Sequence, residues 1–158
     1  MVVFYSRKGH TRAYAEELAA LRKDKTFELR EKKERSGFLG LVGGCFQSIT
    51  KKEAEVADLP DLRKVRELFI CSPIWASGIA PAVRYFINHA ELAGVTVNFL
   101  LTCAGIDKQD VYKKSAFDAL SATGAKAGEA YVFACPMKSA PDTEIAGSHI
   151  KRVILGVD

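Results

Sequence analysis

The sequence predicts an α/β fold: a doubly wound five-stranded parallel sheet, strand order 2-1-3-4-5, with helices on both faces as a three-layer sandwich. Three observations predict it. Short apolar runs such as Val2–Tyr5 and Val95–Thr102 are nearly continuous, as in strands covered on both sides. Stretches with apolar residues at helical spacing fall between them. Strands joined through helices must run parallel, with right-handed crossovers.

Val2–Tyr5 is the first strand, and Thr11–Leu21 the first helix, with Tyr14, Ala15, Leu18 and Leu21 on one side. Thr26–Arg30 is a more polar strand with Phe27 and Leu29 on one face, which suits an edge. Residues 36–52 form a glycine-rich excursion, in which Phe38, Leu39, Val42, Phe46 and Ile49 supply a stripe costly to leave in water. Sequence does not choose between a partner surface, a dimer surface and a lid for it. Arg66–Ser72 is a buried strand expected to stop at Pro73, which cannot donate to a ladder. Ile74–Ala80 reads as a loop, and Pro81 opens a helix to His89 with Val83, Phe86 and Ile87 inward. Val95–Thr102 is followed by the turn Cys103–Gly105, then by a helix over Asp107–Thr123 with Val111, Ala116, Phe117 and Leu120 inward and Gly124 at its end. Lys126–Ala134 holds the fifth strand. Asp142–Val157 is the last helix, with Ile145, His149, Ile150, Val153, Ile154 and Val157 on one side and Asp142 or Thr143 as its cap.

A length of 158 residues suits one domain spanning 1–158, and 48% apolar with 27% charged residues is a globular composition. No apolar run reaches membrane-spanning length. Met1 leads straight into a strand without a signal core, so a cytoplasmic location is expected. The net charge is +4, and the charged run Arg30–Arg35 mixes both signs. No basic face interleaved with aromatic residues is present, which argues against nucleic acid. Cys45, Cys71, Cys103 and Cys135 lack metal spacing and are expected as free, mostly buried thiols; the last three each lie at or near the end of a strand run. No metal site is expected.

In such a sheet, ligands bind beyond the carboxyl ends of the strands, at the switch point between the first and third. That edge gathers Ser6–Thr11, Ser72–Gly78 and Thr102–Gly105. The first stretch, Ser6-Arg7-Lys8-Gly9-His10-Thr11, joins strand to helix, where exposed amides and the helix dipole favour an anion. Hydroxyls of Ser6 and Thr11 and the charge of Lys8 would complete a phosphate cradle, and Gly9 lets the backbone come close. An ordinary capped turn is the plainer alternative.

These three stretches resemble the flavin mononucleotide (FMN) loops of the flavodoxin-like family. The first is similar to its phosphate loop, Ser72–Pro81 (Ser-Pro-Ile-Trp-Ala-Ser-Gly-Ile-Ala-Pro) to its second flavin loop, and Thr102-Cys103-Ala104-Gly105 to its third. The second loop is the most specific of the three. The resemblance implies that Ser6, Lys8, Gly9, His10 and Thr11 hold the phosphate. It implies that Pro73, Ile74, Trp75, Ala76, Ser77 and Gly78 line the ring and ribityl chain, with Trp75 against the ring. Thr102, Cys103 and Gly105 would close the other side. Lys8 departs from the family, which usually has a hydroxyl there. The third loop carries neither an aromatic residue nor the acidic residues of dedicated electron carriers, and the chain is basic where those are acidic.

Two functions follow from the resemblance. One is an FMN-dependent oxidoreductase passing electrons from a nicotinamide donor, NAD(P)H, to a quinone-like acceptor. The other is a flavodoxin-type shuttle between redox partner proteins. Negative charge beside a flavin opposes addition of a second electron, so its absence gives weight to two-electron chemistry. The flavin carries the chemistry, so no catalytic side chain is required; His10 is read as an anion contact before a proton donor. Electron exchange with Cys103 stands against inert buried thiols. A phosphoacceptor domain would need acidic residues where Tyr5-Ser6 and Cys71-Ser72 stand, and a dinucleotide fold a G-x-G-x-x-G after the first strand. Oligomeric state stays open.

Overall fold

The sheet is built around a central strand that has parallel partners on both sides. The computed structural model describes residues 1–32, 53–135 and 140–154. The excursion at 36–52, Cys45 within it, and Val157 lie outside the described residues. In chain order the elements are β1 (Val2–Phe4), α1 (His10–Arg22), β2 (Thr26–Glu28), β3 (Glu67–Trp75), β4 (Gly78–Ile79), α2 (Pro81–His89), β5 (Thr96–Cys103), α3 (Gln109–Leu120), β6 (Lys126–Ala134) and α4 (Thr143–Ile154). The sheet order is β2-β1-β3-β5-β6, parallel throughout, and β4 adds an antiparallel pair to β3. Setting β4 aside, this is the 2-1-3-4-5 order, the flavodoxin-like fold.

Alternation along β3 feeds both faces. Phe69 and Cys71 join Tyr14 and Leu18 of α1 and Ile150 of α4. Leu68 and Ile70 join Val83, Phe86 and Ile87 of α2 and Ala116 and Leu120 of α3. Such double coverage is why the strand runs read as continuous apolar segments. Among the described residues no helix is long and apolar enough to cross a membrane.

The structure corrects four expectations. The strand expected to stop at Pro73 continues to Trp75, with Pro73 paired to Thr102 of β5. Cys71 O accepts from Tyr5 N at 3.1 Å, so Pro73, two residues on, turns its missing N–H to that same side. The last β1–β3 pair is Phe4 with Cys71, so no ladder partner awaits that N–H. Ile74–Ala80 is a hairpin, not a loop, with Ile74 opposite Ile79 and Trp75 opposite Gly78. Val111 is exposed. It stands five residues before Ala116, about 140° round the helix. Ile145 and Val153 are exposed too, because Ala146, Gly147 and Ile150 form the buried line of α4. A Cβ on Gly147 would lie 3.1 Å from Glu17 Oε2, so α4 approaches α1 closely there. Asp142 caps α4 as expected, accepting from Ile145 N at 3.0 Å.

A bulge sets the register of the outer strands. Val97 pairs with Ala127 and Phe99 with Ala130, so Gly128 and Glu129 both stand against Asn98. Buried Asn98 uses both ends of its amide: Oδ1 accepts from Glu129 N at 2.8 Å, and Nδ2 donates to Glu67 Oε1 at 2.9 Å. A Cβ on Gly128 would lie 2.2 Å from Asn98 Oδ1, so the glycine is required by contact. Asn98→Ala is expected to lower stability by about 1–3 kcal/mol, the cost of orphaning the Glu129 amide. Urea denaturation measures it, with an unchanged midpoint as the contrary result.

Candidate functional site

Three chain segments meet beyond the carboxyl ends of β1, β3 and β5 and bound an open pocket of about 590 Å³, counted to its mouth. Residues 6–8, with His10 and Thr11, form one side, Pro73–Trp75 another, and Thr102–Ala104 with Cys135 the third.

The first segment is braced from within. Gly9 N donates to Ser6 Oγ at 3.1 Å. Gly9 is the N-cap of α1 with φ 92° and makes no side-chain cap bond. Ala13 N is bonded to Gly9 O at 2.9 Å, which leaves the amides of His10, Thr11 and Arg12 without intrahelical acceptors. A Cβ at Gly9 would lie 2.8 Å from Pro141 Cγ, so both conformation and contact demand glycine. Thr11 Oγ1 and Thr102 Oγ1 lie 2.8 Å apart, both residues buried. The Thr11 hydroxyl expected for an anion is thus engaged with the third segment.

The second segment is the β3–β4 hairpin. Ser72, fully buried, accepts from Ala80 N at 3.1 Å and donates to Pro73 O at 2.9 Å, pinning the strand ends together. The turn residues Ala76 and Ser77 both have positive φ, 48° and 68°, which matches the right-handed twist of a two-residue hairpin but strains residues other than glycine. Trp75 is buried against Tyr5 edge to face, centroids 5.7 Å apart, and still presents a surface to the pocket.

The third segment supplies Thr102, Cys103 and Ala104. Cys103 Sγ donates to Gly105 O at 2.9 Å, and Cys135 N donates to Cys103 O at 2.7 Å. Cys135 also bonds the Tyr14 side chain, whose hydroxyl lies 2.7 Å from His149 Nδ1. Burial pushes the Cys135 thiol up to about 11, the Tyr14 bond pulling the other way, and burial raises Cys103 as well. Both are neutral thiols near neutrality. Among the described residues no carboxylate lines the pocket, while Arg7 and Lys8 do. Among the described residues no cluster fit for a metal ion occurs.

Of the expected residues, Ser6, Lys8, His10, Thr11, Pro73, Ile74, Trp75, Thr102 and Cys103 line the pocket. Gly9, Ala76, Ser77, Gly78 and Gly105 are not in its wall; the turns place them behind it or at the hairpin tip. Arg7, Ala104 and Cys135 line it without having been singled out. The position of Cys135 just past a strand end was the available signal.

No protein-family model matches the sequence, and no curated protein does. Solved structures do share its architecture. A flavoprotein of Lactobacillus acidophilus in complex with FMN superimposes with a TM-score of 0.72 at 17% identity, over 83% of this chain and 90% of that one. The Trp repressor binding protein of Bacillus subtilis gives 0.61 at 12% identity, over 99% of both chains. Oxidised flavodoxin 1 of Bacillus cereus gives 0.51 at 13%, over 99% and 97%. At these identities the likeness is one of fold, and it places this chain among flavodoxin-like architectures.

Three outcomes follow from the geometry. Gly9→Ala is expected to cost about 1–3 kcal/mol through strain and the Pro141 contact, read by denaturation. Ser77→Gly is expected to raise stability by about 1 kcal/mol by relieving the left-handed turn. Cys103 and Cys135 are expected to resist iodoacetamide at neutral pH in the folded protein. A folded state that raises a thiol pKa holds its proton more tightly than the unfolded chain. The stabilisation is therefore whole below the ordinary value of 9.0 and is lost as pH rises through about 11. Rapid labelling of both at neutral pH would contradict this.

Proposed function

We propose that the protein binds FMN in this pocket and acts as a flavin-dependent oxidoreductase. The observation that carries the reading is the meeting, in one pocket, of an uncapped helix N-terminus with an apolar slot that holds no carboxylate among the described residues. The amides of His10 and Thr11 would hold the phosphate, with Lys8 and Arg7 offsetting its charge. Ser6, whose oxygen accepts from Gly9, retains a hydroxyl proton to donate. Pro73, Ile74 and Trp75 would form one wall of the ring slot, and Thr102, Cys103 and Ala104 the other. When bound, the flavin supplies the hydride or electron transfer itself.

The chain's own residues support two-electron chemistry. Among the described residues no acidic side chain in the pocket wall opposes negative charge gathering on a reduced ligand, and neutral Cys103 and Cys135 add none. This favours transfer from NAD(P)H to a quinone-like acceptor over a shuttle between protein partners. Free Cys71, Cys103 and Cys135 fit a reducing, cytoplasmic setting.

Titration of the apoprotein with FMN, followed by quenching of flavin fluorescence, tests binding; no saturable quenching refutes the reading. Lys8 is exposed, and an exposed charge is worth at most about 1 kcal/mol, so Lys8→Thr is expected to change affinity by less than about tenfold. A much larger loss would transfer the anchoring role from the amides to that charge. Flavin reduction by NADPH with turnover of a quinone supports the enzyme, and reduction only through a protein donor supports the shuttle.

A further inference from the structure

A second cleft lies away from the pocket, between α2 and α3, and measures about 830 Å³ to its mouth. Its origin is in the sequence. The face of α3 turned to α2 carries Ser115 and Ala119, with Ala122 just beyond the helix, and side chains this small leave the groove between the helices unfilled.

Arg84 of α2 borders this cleft and is only 8% exposed. Its Nε is sealed from solvent and has no hydrogen-bond partner. Among the described residues no carboxylate forms an ion pair with the guanidinium. Glu53 is near enough to favour its charge, but the Glu53 carboxylate is taken by Asn88 Nδ2 at 2.6 Å and stands 3.6 Å from His89 Nδ1. Burial accordingly pushes the guanidinium pKa down. Glu53 is thus a distant and shared counter-charge; a buried cation with no ion pair of its own keeps much of its desolvation cost, and an anion brought to it is what relieves that cost. Around Arg84 the cleft adds the Lys114 ammonium, the Asn88 amide and the hydroxyls of Ser115 and Ser121. Asp118 also stands in the wall, held by Lys114 at 2.7 Å, so two cations face one carboxylate.

We propose that the α2–α3 cleft is a second binding site, for a small oxyanion bearing a phosphate or carboxylate group, gripped by the Arg84 guanidinium. The planar fork of an arginine suits both groups; the Ser115 hydroxyl and the second amide proton of Asn88 supply further donors, while the Ser121 hydroxyl is already given to Asp118 O at 2.8 Å and the first Asn88 proton to Glu53. The proposal is independent of what fills the first pocket.

Side-chain and amide NMR of the folded full-length chain tests it, with sodium phosphate and sodium acetate as probes and sodium chloride as the ionic-strength control. The expected result is a saturable shift of the Arg84 Nε–H and of the Ser115 and Ser121 amides. Saturation at lower phosphate than acetate assigns the site to phosphate groups, and the reverse order to carboxylates. Arg84→Met should abolish the Ser115 and Ser121 response while leaving any phosphate response at Gly9 and Thr11 intact. Ser115→Leu, which fills the groove and keeps the arginine, should abolish the Arg84 response and guards against misfolding of the first variant. Shifts confined to Gly9 and Thr11, or shifts at Arg84 that rise linearly and match those in chloride, would overturn the proposal.

Discussion

A single buried contact, Thr11 Oγ1 to Thr102 Oγ1 at 2.8 Å, joins segments 91 residues apart. It fixes where α1 begins relative to where β5 ends, and so sets the width of the pocket between them. Both residues are buried but for the edge they show the pocket, and each hydroxyl has the other as its partner. Tyr5 N on Cys71 O ties the first segment to the central strand in the same way, and Cys135 N on Cys103 O ties β6 to β5. The pocket is a set of strand ends cross-braced by hydrogen bonds, and its shape is settled before any ligand enters.

The fold was legible because double burial leaves a plain trace. Runs such as Leu68–Cys71 are apolar at every position, and turns with Pro81 or Gly124 punctuate the helices where the structure breaks them. Helix faces were read less well. Val111 and Ile145 are apolar at nearly helical spacing, yet a five-residue step from the true buried line carries each into solvent. The hairpin was missed because its turn is Ala76-Ser77, where the usual signal is Asn-Gly. Nothing local announces that a proline strand will overrun its neighbour; that depends on where β1 stops.

At the site, the sequence showed which loops converge, while the identity of a ligand came from likeness to a family pattern. Residues with side-chain roles mostly reached the pocket wall. Gly9, Gly78 and Gly105 did not, because they serve backbone conformation and close approach, and their effect on the pocket is indirect. Arg7 and Cys135 reach the wall as well: Arg7 lies inside the first loop, and Cys135 stands just past the end of its strand, the position its sequence context gives it. The two clefts also differ in kind: one has main-chain amides of a helix start at its wall, and the other a buried arginine with no ion pair among the described residues.

The overrun of β3 has a mechanical meaning. Beyond Cys71 the strand loses β1 as a neighbour; β5 pairs Ser72 and Pro73, and β4 folds back onto Ile74 and Trp75, tied through Ser72 and Ala80. It behaves as a bracket whose root is buried in the sheet and whose tip carries Trp75. The tryptophan wall is therefore placed by main-chain pairing: the hairpin behind it and Tyr5 beside it set where the indole stands relative to the strand ends.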